Sequence, residues 1–550
     1  AVRRGRPFYE RRSLWLAFFA GLFVVLCLLR MPVPDRPIRD VDESVSAIIA
    51  TTWLEGGVPY RDAIDQRGPV TYALYALTFL MSAPNDMTAV HWALLVLILV
   101  AAGAVFGLGR ELIPGPRGGT LAFAAAALLA LGTFTYRRSQ MLAFHTEWPG
   151  MLASAVGMLF LWQALGREKA PRRNLLLAGI CFGLAFLSKQ PAVFDGGAAG
   201  AFLLLQAAVR RRLFAKETLL RAGLLAGGFF ATVLTAVAYF AAHGALWDFY
   251  FYYWKYNVEH YTAVVPMSER LEGLNPFAHR RHYLTANPLL FAGAIASATA
   301  GLAAFFRRRQ RTQEIWGRLL LVLWLFFAYF GASYSGRNFG HYFIQIIPPL
   351  CLLTAWLLVD LWQWQRPDAW FSQGRFAFRA ALSVLVVLGL FYSLHRFHRD
   401  MAVFGITTPA RVRVPQEALV QHLRSTTAED DTLFVWGYNP EIYALTPRRA
   451  GTRYSNTNYL TGMLPWENHG EGVDTSEHIV PGAWDILLDE LEASRPAVIV
   501  DTVPGNHRYY RKYPIEAFPR LDDYLRRHYR RSARVLDAKG RPYYDVYSRR

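Results

Sequence analysis

What constrains this chain most is a series of apolar runs, several of which approach the roughly 20 residues that a helix needs to cross a bilayer. They lie at 13–29, 91–108, 120–134, 148–165, 175–187, 192–209, 220–242, 287–306, 319–330, 342–361 and 380–394. Short basic bursts at 109–119, 166–173, 210–212 and 307–311 separate several of them. Lys and Arg collect in loops on the cytoplasmic side of a membrane. With the Arg-rich first twelve residues in the cytoplasm, the bursts at 109–119 and 166–173 share that side only if 91–108 is the second crossing and the 12-residue run 70–81 does not cross. Residues 70–81 are therefore expected to form a juxtamembrane or half-inserted helix behind Pro69, with its backbone satisfied by neighbouring helices. The Arg-rich start then stays in the cytoplasm, and the loops 31–69 and 243–285 face outward.

Composition agrees: hydrophobic residues make up 53% of the chain and charged residues 18%. A net charge of +18 would point to nucleic acid in a soluble protein. Here it is dispersed in inter-helix loops, so no nucleic-acid partner is expected. Cys27, Cys181 and Cys351 sit in apolar runs without metal-ligand spacing, which predicts neither a disulfide nor a thiolate site. The first run is long and no A-x-A site follows it, so it reads as an anchor rather than a cleaved signal. After about residue 397 the character changes. Residues 432–437 and 497–501 read as buried strands and 486–493 as an amphipathic helix. The expectation is a polytopic α-helical membrane protein with about eleven transmembrane helices and juxtamembrane helices over residues 1–396. A soluble α/β domain follows over 397–550, on the outer face by parity.

The acids that an apolar chain otherwise avoids are concentrated between Arg39 and Pro69. Asp40, Asp42, Glu43, Glu55, Asp62 and Asp65 are interleaved there with Arg39, Arg61 and Arg67. Other ionisable groups at outer membrane boundaries are Arg137, Arg138, His145, Glu147, Glu259, His260, Arg337 and His341. Such groups are costly at a boundary unless they face a cavity or a partner, so each is a functional candidate. Carboxylates beside arginines supply a general base next to a phosphate clamp. No phosphate-binding glycine loop, nucleophile elbow or Cys/His metal spacing is present.

The order of these motifs resembles the GT-C glycosyltransferases, and is most similar to the family of protein O-mannosyltransferases and lipid A aminoarabinose transferases. The residues that carry the resemblance begin with Asp42-Glu43, then L-x-G-G-x-P-Y-x-D from Leu54 to Asp62, then Arg67-Gly68-Pro69 opening an aromatic helix. His145-Thr146-Glu147-Trp148 is similar to the second acidic motif, and Gly183 to Lys189 to a G-x-x-x-x-T-K stretch. Tyr253 to His260 is similar to an aromatic V-E-H run in the large outer loop. Gly336-Arg337, His341-Tyr342 and Pro348-Pro349 resemble a later segment. The resemblance covers roughly residues 10–360.

It implies a GT-C fold and transfer of a sugar from a polyprenyl-phosphate donor to a glycan, lipid or protein acceptor at the outer face of a bacterial inner membrane. Direct displacement with inversion is the implied stereochemistry. Asp42, with Glu43 beside it, corresponds to the acid assigned as base or acceptor-positioning group, and Glu147 to the second acid. Arg67, Arg337, His260, His341 and Lys189 correspond to contacts near the donor phosphate. Some expected features differ: Ser44 to Ser46 replace a basic or aromatic residue, Arg67-Gly68-Pro69 replaces K-P-P, and Gln66 replaces an acid. The Asp40-x-Asp42 pair is a pattern that holds a divalent cation in some glycosyltransferases, so a cation is retained as an alternative and no other cofactor is expected. The rival readings are a transporter or non-catalytic binder of lipid-linked sugars, and a polymerase or ligase using a diphosphate-linked donor. A transporter would place its charges near the bilayer midplane; here they lie at the outer boundary.

Overall fold

The structure is a computed structural model and describes residues 12–30, 37–132, 141–165, 171–277, 287–308, 310–337, 339–363, 380–392, 394–395, 410–464 and 466–550. Among these, eight helices are long and apolar enough to cross a membrane. They are Arg12–Arg30, Met87–Leu112, Glu147–Leu165, Gln190–Val209, Lys216–Ala242, Pro288–Arg307, Gln313–Ser333 and Gly340–Gln363. Three shorter apolar helices, Pro116–Gly132, Arg173–Ser188 and Ala380–Tyr392, correspond to the remaining expected crossings. The run after Pro69 forms the helix Pro69–Met81.

The chain divides into two compact units. One comprises Ala1–Pro32, His91–Val237 and Met267–Val403; the other comprises Val33–Val90, Ala238–Pro266 and Phe404–Arg550. In the first, helical unit, small residues let backbones meet. A Cβ at Gly179 would lie 2.1 Å from the carbonyl oxygen of Leu225, and one at Gly228 2.2 Å from that of Leu176. Only glycine allows the helices Arg173–Ser188 and Lys216–Ala242 to approach so closely, the packing device of helices in lipid. At one end, Arg117 bridges Glu314 (3.0 Å) and Asp360 (2.8 Å), and Arg318 pairs with the same Asp360. Three helices are tied there by one charge network.

The second unit is built on a five-stranded mixed sheet: β1 (Thr432–Trp436), β2 (Arg449–Ala450), β3 (Val498–Asp501), β4 (Tyr529–Leu536) and β5 (Pro542–Arg549), in the order β2-β1-β3-β5-β4. β1 runs parallel to β2 and β3, while β5 is antiparallel to β3 and β4. The two strands and the helix (here Ala483–Ser494) expected from sequence are present. The β4–β5 hairpin was not anticipated: β4 is Arg-rich and only its first residue is buried. The core of this sheet also takes in Ile48, from the helix Val41–Leu54, beside Leu419, Leu433, Val435, Ile442 and Val500. The acidic stretch and the C-terminal strands thus share one hydrophobic core.

Asp501, at the end of β3, is 7% exposed. Burial pushes its carboxyl up to about 7, and Asp545, its partner across the ladder, adds to the rise. In the unfolded chain the group titrates near 4. The raised native value means that its contribution is full below about pH 4 and is lost as pH rises toward 7, a swing of roughly 4 kcal/mol. Asp501→Asn keeps the acceptor oxygen for the Val503 amide and removes the charge. Thermal unfolding of the full chain is expected to show the variant more stable than wild type at pH 8, with the gap closing toward pH 4.

Candidate functional site

The stretch 39–69 is assembled by local rules. Asp40 caps the helix Val41–Leu54, accepting the Asp42 amide at 3.2 Å. Glu43, fully buried, accepts the Arg39 amide at 2.8 Å. This is a capping-box arrangement, and it holds Asp42 in the first turn. The helix ends in a Schellman motif: the Gly56 and Gly57 amides donate to the carbonyls of Trp53 and Thr52, with Gly56 at φ +95°. A Cβ on Gly57 would lie 2.7 Å from Thr52 Cγ2. Asp62 Oδ2 then accepts the Val58 amide at 2.7 Å.

Tyr60 follows in the left-handed region, φ 72°, fully buried. A bulky side chain there is strained, and such strain concentrates at functional sites. Its hydroxyl donates to the Arg67 carbonyl at 2.6 Å. On the other side, Asn257 donates to the Gln66 carbonyl at 2.8 Å, and the Tyr459 hydroxyl to Gln66 Oε1 at 2.8 Å. The backbone at 66–67 is therefore held by two bonds, and the Gln66 side chain by a third.

Arg67 forms the centre. Its guanidinium bonds Asp42 through Nη2 and Asp65 Oδ2 through Nη1 at 2.8 Å. Tyr72 donates to the same Asp65 oxygen at 2.8 Å. Burial alone would lower the Arg67 pKa, but Asp42 and Asp65 outweigh it and hold the value well above that of an ordinary arginine. The Tyr438 phenol is raised by burial, with Asp42 adding to it and Arg67 and Arg508 opposing. Behind it, Arg508 pairs with Glu441 and donates to the Tyr438 carbonyl at 2.6 Å. Asp65, Tyr60 and Tyr438 were not among the residues singled out as site residues from sequence. The acid count within 40–65 was the available signal for Asp65, the P-Y-x-D motif for Tyr60, and the aromatic run Trp436-Gly437-Tyr438 after a strand for Tyr438.

His260 lies in a π-helical turn, Asn257–Tyr261, stacked on Tyr256 at 5.3 Å and edge-on to His478 at 6.2 Å. Burial and His478 hold its pKa below the usual imidazole value, so it is mainly neutral at pH 7. Asn257, in the same turn, bonds the Gln66 carbonyl beside Arg67. Arg453 and Tyr454 make structural contacts. Arg453 pairs with Glu490 at 2.6 Å, and the Tyr454 hydroxyl donates to the Ala483 carbonyl at 3.2 Å.

The helical unit holds the other candidates. Glu147, the first residue of its helix, pairs with Lys189 at 3.1 Å, and the Lys189 ammonium lies 4.5 Å over the Tyr342 ring. His145 stacks on His341 at 4.2 Å, and His341 on Phe339 at 5.7 Å. Arg337 is 8% exposed, just after Gly336 at φ +74°. Glu147, Lys189 and His341, far apart in sequence, thus collect around the Gly340–Ile346 turn. Arg137 and Arg138 lie outside the described residues.

A family profile described as dolichyl-phosphate-mannose-protein mannosyltransferase matches residues 66–258. ArnT of Cupriavidus metallidurans in the apo state superposes with a TM-score of 0.58 at 13% identity, over 97% of this chain and 98% of its own. The same enzyme bound to undecaprenyl phosphate gives 0.55 at 11%, over 98% of each. The Archaeoglobus fulgidus oligosaccharyltransferase AglB, in complex with an inhibitory peptide and a dolichol-phosphate, gives 0.56 at 14%, over 98% of this chain and 74% of its own. The chain has the GT-C fold. No curated protein sequence matches it. The profile match begins at residue 66, one residue before Arg67, so on this GT-C frame the Asp40–Glu43 cap lies upstream of the matched stretch.

Proposed function

We propose that this multi-pass GT-C protein is a glycosyltransferase. It takes a sugar from a polyprenyl-phosphate carrier and passes it to a glycan, lipid or protein acceptor at the outer face of a bacterial inner membrane. The observation that carries the reading is Arg67, a buried guanidinium forked between Asp42 and Asp65 and braced through its own backbone. A forked guanidinium suits a phosphate as well as a carboxylate. When the donor phosphate engages Arg67, the Asp42 carboxylate is released toward the acceptor.

In the transfer step the acceptor hydroxyl oxygen forms a bond to the anomeric carbon. The bond from that carbon to the phosphate oxygen breaks, and its electron pair leaves with the phosphate. The hydroxyl proton passes to Asp42. Displacement in one step inverts the anomeric centre. Arg67 stabilises the charge that develops on the phosphate, and Glu43 positions Asp42 through the helix start. Glu147, Lys189, His341, His260 and Arg337 are assigned to orientation and donor contact. A divalent cation at Asp42 is retained as an alternative; the helix cap and Arg67 each engage one carboxylate oxygen, Oδ1 of Asp40 and Oδ1 of Asp42. No step is routed through a metal.

The test is sugar release by the purified protein from radiolabelled polyprenyl-phosphate sugars, beside diphosphate-linked donors. Release from monophosphate donors supports the reading. Saturable lipid binding without release from any donor would replace it with a transporter or binder.

A further inference from the structure

The segment Asn506 to Tyr509 has an unusual backbone. Asn506, Arg508 and Tyr509 all have positive φ (50°, 49° and 69°), and so does Trp466 at 71°. None is glycine. Strain of this kind persists only where the surroundings impose it, and it is concentrated at sites with a task. Arg508 accounts for part of it, since it is drawn inward to Glu441 and the Tyr438 carbonyl. Nothing inward accounts for Trp466 and Tyr509. Both turn their rings to solvent, 45% and 42% exposed. The rings meet edge to face at 6.1 Å and 85°, forming a corner.

The corner is rigidly supported. The Lys512 ammonium donates to the carbonyls of Asn468 (3.0 Å), Gly470 (3.2 Å) and Val473 (3.2 Å), fastening the Trp466 loop to the Tyr509 segment. Asn468 braces the same loop from within, accepting the Leu464 amide at 2.7 Å and donating to the Gly462 carbonyl at 3.0 Å. His469 backs Tyr509 at 4.1 Å, and its Nδ1 is buried with no hydrogen-bond partner among the described residues.

We propose that Trp466 and Tyr509 form a carbohydrate subsite that holds the acceptor glycan, an assignment that rests on the transferase reading above. A pyranose has an apolar C–H face that lies on an aromatic ring and hydroxyls that need polar neighbours. The corner supplies a ring face and a wall, and the same loop carries the exposed carboxylates of Glu471 and Asp474. Large, stiff aromatic side chains give contact area at low entropic cost. A membrane surface is the less suitable occupant. The Trp466 loop carries Glu467, Glu471 and Asp474, which oppose anionic headgroups.

The test exploits the strain. Glycine adopts positive φ without penalty, so Trp466→Gly and Tyr509→Gly relieve the backbone while deleting a ring. The full-length protein in detergent would be applied to an array of hexose, amino-sugar and uronate oligosaccharides, and to phosphatidylglycerol vesicles. The wild type is expected to retain a subset of glycans. Each variant should hold its melting temperature, bind that subset about tenfold more weakly, the order of one aromatic contact, and bind undecaprenyl phosphate unchanged. Trp466→Phe should recover part of the binding. Glycan retention by both glycine variants equal to wild type would overturn the subsite, as would capture of vesicles but no glycan. Lipid-phosphate binding is read separately, so its loss in the wild type would count against the transferase and not against the corner.

Discussion

Asp42→Asn is expected to lower turnover by about 10²–10⁴-fold, the usual worth of a general base, while the donor lipid still binds. The asparagine keeps the shape of the side chain and an oxygen for Arg67, but it cannot take the acceptor proton. The helix start is unaffected, because the cap is Asp40 and the buried carboxylate that closes it is Glu43. The melting temperature should therefore move little, since Arg67 retains Asp65 at 2.8 Å. The measurement is single-turnover sugar transfer beside equilibrium binding of undecaprenyl phosphate. Equal transfer by variant and wild type would remove Asp42 from the role of base. A parallel fall in transfer and lipid binding would recast it as a group that positions Arg67.

Arg67→Ala is expected to be the most damaging single change, costing roughly 3–5 kcal/mol of stability together with measurable transfer. The arginine side chain is 11% exposed, and Asp65 is 3% exposed. Removing the cation leaves the buried Asp65 and partly buried Asp42 carboxylates without it, and among the described residues only Tyr72 then donates to Asp65. Desolvation and like-charge repulsion then act together. Arg67→Lys should keep most of the stability and lose most of the transfer, because an ammonium cannot fork between two partners. The combined variant Asp42→Asn, Arg67→Gln should regain part of the stability lost in Arg67→Ala, since the charges leave in pairs. Thermal unfolding of the four proteins in one detergent reads this directly. A melting temperature for Arg67→Ala equal to that of wild type would show that the pair is peripheral.

Much of this was legible in the sequence for identifiable reasons. An apolar run of 20 residues has one stable solution in a bilayer, so the crossings could be placed from length and charge alone. The expectation that 70–81 does not cross came only from the bookkeeping of basic loops. The acidic stretch was conspicuous because charge is rare in this chain. Its inner construction followed rules that a reader of D-x-D-E and G-G could apply: a cap, a turn, a left-handed glycine. The helix Val41–Leu54 itself was harder, since its residues are buried on nearly every side and no amphipathic stripe marks it. β4 was illegible for the opposite reason, being exposed and basic along most of its length.

The sequence by itself determined a polytopic helical membrane protein with a soluble α/β region and an ionisable cluster between residues 39 and 69. Those conclusions rest on local chemistry, in which hydrophobic length, charge sign and capping act over a few residues. Only the tertiary structure decided that Arg67 would be shared between Asp42 and Asp65, that Tyr438 would join them from 371 positions away, and that Lys189 rather than another cation would pair with Glu147. Such pairings depend on which distant backbones share a core. A guanidinium taken out of water bonds to the carboxylates the fold sets beside it, and no local pattern records which those are.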